Sequence, residues 1–147
     1  MSMTISPSTS SDTPLSLRYR RMPGSLAICR LEPDAFIPDW AVHLSNSAET
    51  FLSITRTAEE LSIVCQEGAL GPLPGSFIEA GWVCLQLEGP LPFTLAGNLY
   101  RFIEPMANGQ IPILAISTFN TDYVLIKEEF WERASALFQA AGYELTG

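Results

Sequence analysis

Positive charge is scarce in this chain. Eight Lys and Arg stand against sixteen Asp and Glu in 147 residues, a formal net charge of −8. Nucleic acids and anionic membranes are bound through clustered Lys and Arg, so neither partner is expected. Arg18, Arg20 and Arg21 form the one basic cluster and read as a solvated entry to the fold. Histidine is limited to His43, which has no Cys or carboxylate cluster at ligand spacing, so no metal is expected. Cys29, Cys65 and Cys84 are too few for a disulfide framework, odd in number and without CxxC spacing. With no secretion signal, they read as reduced, buried thiols of a cytoplasmic protein. No apolar run approaches the roughly 18 residues that span a bilayer. Also missing are GxxxxGK[ST], GxSxG and any Cys–His pair in nucleophilic context, so neither an enzyme nor an organic cofactor is expected.

What is present is apolar. With 47% hydrophobic and 16% charged residues the chain can bury a sizeable core. Its length suits one domain, or two very small ones sharing a core. Residues 1–16 contain nine Ser or Thr with Pro7 and Pro14, and the stretch 1–18 reads as a disordered tail.

The remainder repeats itself. FLSITRTAEELSIVC (51–65) aligns with ILAISTFNTDYVLIK (113–127) at an offset of 62, placing Leu52 on Leu114, Val64 on Ile126 and Glu60 on Asp122. Both stretches read as strand, polar turn, strand. LAICRLE (26–32) aligns with WVCLQLE (82–88) at an offset of 56, so the second connection is longer by 62 − 56 = 6 residues. That connection reads as a helix, with Leu95, Leu99, Phe102, Ile103 and Met106 on one face, Thr94 as cap, and Pro105 with Gly109 bending or ending it. A second helix follows the hairpin through Phe130, Trp131, Ala134, Leu137, Phe138 and Ala141, with Gly142 just past its end and a short strand at 143–145. The first half is abridged. Pro33 and Pro38 leave room for short turns only, and GALGPLPG (68–75) forbids a second helix. The expected units are 19–80 and 81–147, packed together in an α+β sandwich.

The β-α-β-β-α unit, together with SITRTAEELSIVC (53–65), GWVCLQLEGPLPFTLAG (81–97) and AISTFNTDYVLIK (115–127), resembles the ACT domain. It is similar in particular to small bacterial tandem-ACT proteins, to aspartokinase regulatory ACT domains and to the cytosolic arginine-sensor ACT domains of animals. The resemblance covers about residues 19–143. It implies a tandem ACT (ferredoxin-like) sandwich, with antiparallel sheets and helices on one face. It also implies a non-catalytic regulatory module that binds a small ligand, an amino acid, between paired ACT units, and that associates as a homodimer.

The candidate site residues come from two loops. An amino-acid carboxylate suits backbone N–H groups at a helix N-terminus. Gly89–Thr94 leads into the first helix, and because Pro90 and Pro92 lack N–H groups the candidate contacts are Leu91, Phe93 and Thr94. A cationic group suits Asp122 beside the hydroxyls of Ser117 and Thr118. The resemblance to the arginine sensors, whose corresponding loop carries an acidic residue after a Ser-Thr-aromatic turn, implies ligand contacts at Thr118, Phe119 and Asp122. Two alternatives stand beside this. The polar residues at 120–122 can simply satisfy the backbone of their turn, and the whole chain can be a ligand-free module that dimerises or docks on a metabolic enzyme.

Overall fold

The computed structural model describes residues 17–73, 77–88 and 97–147. Its organising element is an 11-residue strand, β5 (Phe77–Leu87), together with two shorter strands laid end to end along one of its edges. These are β1 (Arg18–Arg21), which pairs Tyr19 with Leu87, and β2 (Leu26–Leu31), which pairs Leu26 with Trp82 and Cys29 with Ile78. The opposite edge of β5 pairs with β7 (Asp122–Lys127), which carries β6 (Leu114–Ser117). Beyond β2 lie β4 (Leu61–Gln66) and then β3 (Leu52–Arg56), and beyond β1 lies β8 (Glu144–Thr146). The described strands thus form one eight-stranded sheet, antiparallel except for the parallel β1–β8 pair.

Both long lines of strand bend at a glycine. Gly24 and Gly81 have φ of +81° and +83°, a region that costs other L-residues steric energy. The Gly81 N–H donates to Glu67 Oε2 at 2.6 Å, and the Lys127 ammonium donates to the Ala80 carbonyl at 2.8 Å. These bends let each half's first strand start within the other half's sheet.

Three apolar layers result. Val83, Leu85, Leu87, Val124, Ile126 and Tyr19 pack beneath α2 (Asn98–Asn108) and α3 (Trp131–Ala140), against Phe102, Met106, Ala134 and Phe138. In the first half Cys29, Ile63 and Cys65 pack beneath the six-residue α1 (Asp39–Leu44) through Ala41 and Trp40, and beneath Leu70 and Leu73 of the following segment. Gly71 lies so close to Trp40 that a Cβ there would fall 2.4 Å from the ring. The third layer joins the helix-free faces of the two halves: Leu26 and Val64 meet Trp82, Cys84 and Leu125, flanked by Phe51 and Tyr123 in an edge-to-face pair at 5.1 Å. The fold is therefore α+β with the helices on one face of each half.

One local reading changes. The hairpins superpose at an offset of 61, not 62: Val64 and Leu125 share the central layer, and Thr57 N–H to Glu60 O is matched by Thr118 N–H to Thr121 O. A one-residue slip exchanges the two faces of a strand, and here both faces are apolar, so the pattern itself does not resist the slip. As expected of Pro105 with Gly109, α2 ends at Asn108 with Gly109 as its C-cap, one turn beyond the proline. The ring deprives the Arg101 carbonyl of its usual donor, and the Tyr143 hydroxyl donates to that carbonyl at 2.6 Å instead. α2 begins at Asn98, and Thr94 and Leu95 lie outside the described residues.

Candidate functional site

The turn between β6 and β7 is built from hydroxyls. Ser117 and Asp122 are cross-strand partners at the mouth of the hairpin, and Ser117 Oγ donates to Asp122 Oδ1 at 2.5 Å. Within the loop, the Thr118 N–H and Oγ1 both donate to the Thr121 carbonyl, at 2.8 and 3.1 Å. This closes the turn and leaves the Phe119 side chain 80% exposed. Asp122 keeps further carboxylate lone pairs beyond the Ser117 bond, so it can accept from an ammonium or guanidinium. Four predicted residues, Ser117, Thr118, Phe119 and Asp122, are therefore together in one small turn. Leu91, Phe93 and Thr94 lie outside the described residues.

Sequence reasoning missed Thr121 as the anchor. Its side chain is only 7% exposed, and its Oγ1 donates to the Leu87 carbonyl at 2.7 Å. That bond fixes the turn against the last residue of β5, at the same end of the sheet from which the 89–96 connection departs. Glu88, the next residue, accepts from Thr146 Oγ1 at 2.5 Å and lies 4.0 Å from Arg18 Nη1, and Arg18 Nε lies 3.5 Å from Glu144. The acidic groups at this end of the sheet are thus partly matched by Arg18, while Asp122 stands among hydroxyls. A threonine in a polar turn gives no signal of such a role, because its partner lies 34 residues away in the chain.

Other groups are poorly placed for chemistry. Burial pushes the Cys84 thiol up to about 12 from an ordinary value of 9.0. Burial, with a smaller contribution from nearby Cys29, pushes Cys65 up to about 11. Both stay protonated, and so poorly nucleophilic, near neutrality. Among the described residues no group of three His, Cys, Asp or Glu is close enough to hold a metal ion, and no helix is long and apolar enough to cross a membrane.

Comparison with known proteins adds a frame. A family model described as an ACT domain matches residues 77–140, and a separate model for an N-terminal domain matches residues 24–71. The crystal structure of protein Atu0741 from Agobacterium tumefaciens is 32% identical, with a TM-score of 0.78 over 90% of this chain and 93% of that one. The regulatory subunit of aspartate kinase from Thermus thermophilus, in its ligand-free form, is 12% identical, with a TM-score of 0.57 over 80% of this chain and 93% of that one, and so shares the fold. The cytosolic arginine sensor for mTORC1 subunit 1 of Bos taurus is 28% identical over 88 residues, which is 54% of this chain and 27% of the sensor. The chain spans about a quarter of the length of the curated relatives it matches.

Proposed function

The chain belongs to the ACT-domain family, and from that premise we propose that it is a non-catalytic regulatory module that senses an amino acid. The observation that carries this reading is Asp122, held by Ser117 in a turn that Thr121 pins to the end of β5. Such a turn offers a carboxylate in a fixed position, which is what recognition of a ligand's ammonium or cationic side chain requires. Support also comes from the name of the arginine-sensor relatives. The site would comprise Ser117, Thr118, Phe119 and Asp122, with Leu91, Phe93 and Thr94 supplying the carboxylate's side, at an interface between ACT units. On this reading the chain holds two ACT-like units, 19–80 and 81–147. The first is abridged, and homodimerisation would pair units across chains. A cytoplasmic setting accords with the three free cysteines and with the word cytosolic in the relatives' name.

Thermal unfolding with each of the twenty amino acids at millimolar concentration tests this. A ligand at about 100 times its dissociation constant adds about 2.7 kcal/mol of stability. One amino acid should raise the midpoint, and Asp122→Ala should remove that shift while leaving the unliganded midpoint nearly unchanged. A flat panel would favour the second reading, a ligand-free module that dimerises or docks on an enzyme. That reading draws on β3, β6 and β8, each of which has a single strand neighbour among the described residues.

A further inference from the structure

Where the helix-free faces of the two halves meet there is an open-mouthed cavity of about 210 Å³. Met22, Leu26, Phe51 and Cys84 give it an apolar wall. Its polar lining residues are Glu49, Thr50, Gln66 and Tyr123. Glu49 is exposed and is the one charged residue of the lining. No Lys, Arg or His is among the lining residues. Two buried side-chain polar atoms lack a hydrogen-bond partner among the described residues, Thr50 Oγ1 and Trp82 Nε1. Thr50 is part of the cavity wall and Trp82 packs in the same apolar layer.

We propose that this cavity binds a small amine with an apolar body and no carboxylate. The wall takes the hydrocarbon part, and Glu49 takes the ammonium. A ligand carboxylate would meet Glu49 and find no cation in the lining to offset the repulsion. α-Amino acids are therefore disfavoured here relative to the amine. Size points the same way. A cavity of about 150 Å³ holds benzene, so this one has room for a ring with a short chain. The site is independent of the amino-acid reading above, because residues 117–122 form no part of its lining.

Titration of the intact protein with 2-phenylethylamine, followed by NMR shifts and calorimetry, tests the proposal against 2-phenylethanol, 3-phenylpropionate and phenylalanine. The amine should bind saturably with shifts at Phe51, Cys84 and Tyr123, and both carboxylates should bind at least about tenfold more weakly. Glu49→Gln, a change at an exposed side chain, should weaken the amine about five-fold, towards the alcohol. Asp122→Ala should leave amine binding unchanged, so failure here and failure of the amino-acid reading are separate results. The proposal is overturned if the amine does not bind, if phenylalanine binds as well as the amine, or if Glu49→Gln leaves the preference for amine over alcohol intact.

Discussion

The two hairpins have the same skeleton and use it differently. In the first, Thr57 serves its own turn: its N–H donates to the Glu60 carbonyl, and its Oγ1 accepts from the Glu59 and Glu60 N–H groups. A side chain ties that hairpin to the rest of the molecule, Arg56 donating to the Pro33 carbonyl. In the second, Thr118 takes over the turn, and Thr121, where the first hairpin has Glu60, turns its hydroxyl inward to Leu87. Anchoring by a buried hydroxyl leaves Asp122 available at the surface with only Ser117 as its partner among the bonds described. A turn stabilised from below can present a ligand-facing carboxylate, whereas one stabilised through its own exposed side chains has less to present. This difference is the ground for proposing the second half, not the first, as the place of recognition.

The largest effect tests whether the two halves are equivalent at all. If the offset is 61, Val64 and Leu125 occupy matching places in the central layer. Leu125→Ala, at a fully buried site, should cost about 2–5 kcal/mol in chemical denaturation, and Val64→Ala about 2 kcal/mol. Val64→Ala as harmless as a surface change would break the equivalence.

How far the sequence carries the structure can be judged from such positions. The alternation of elements, both helices of the second half and the abridgement of the first are legible, because each rests on periodicity or on a proline that forbids an alternative. The hairpin register was not, since Leu52, Ile54, Leu114 and Ile116 are apolar on strands whose two faces both find apolar neighbours. The rescue of Pro105 by Tyr143 and the anchoring of Thr121 to Leu87 were invisible for another reason: each joins residues remote in the chain, and neither partner is unusual where it stands. Of the candidate site, the polar turn was legible and its support was not.

Alkaline titration compares the halves through their thiols. The folded-state values of Cys84 and Cys65, about 12 and about 11, lie above the ordinary 9.0. The native state therefore holds protons that the unfolded chain releases above pH 9, so stability is full below that pH and falls as pH rises. The fall continues through about 11 for Cys65 and about 12 for Cys84. Cys84 should contribute on the order of 3 kcal/mol of this loss. Denaturation midpoints between pH 8 and 12 check it: Cys84→Ala should flatten the curve more than Cys65→Ala.

Thr121→Val keeps the branched shape and deletes the donor to Leu87, which should cost about 1–3 kcal/mol. Thr57→Val, in the exposed first turn, should cost about 0.5–1.5 kcal/mol. Equal losses from the two would mean that burial of the second turn adds nothing, and would remove the ground for assigning recognition to it.

The smallest effect concerns the paired bends. Gly24 and Gly81 both sit at positive φ, and an added Cβ at Gly81 meets nothing within 4 Å while one at Gly24 meets only the Gln66 amide at ordinary contact distance. Space is therefore not at issue, and Gly24→Ala and Gly81→Ala should each cost about 1 kcal/mol through the backbone alone. Matching losses in urea titrations would sharpen the view that the two bends are one device used twice. A much larger loss at Gly81 would mean that its N–H bond to Glu67 and the Lys127 contact at Ala80 make the second bend the true hinge between the halves.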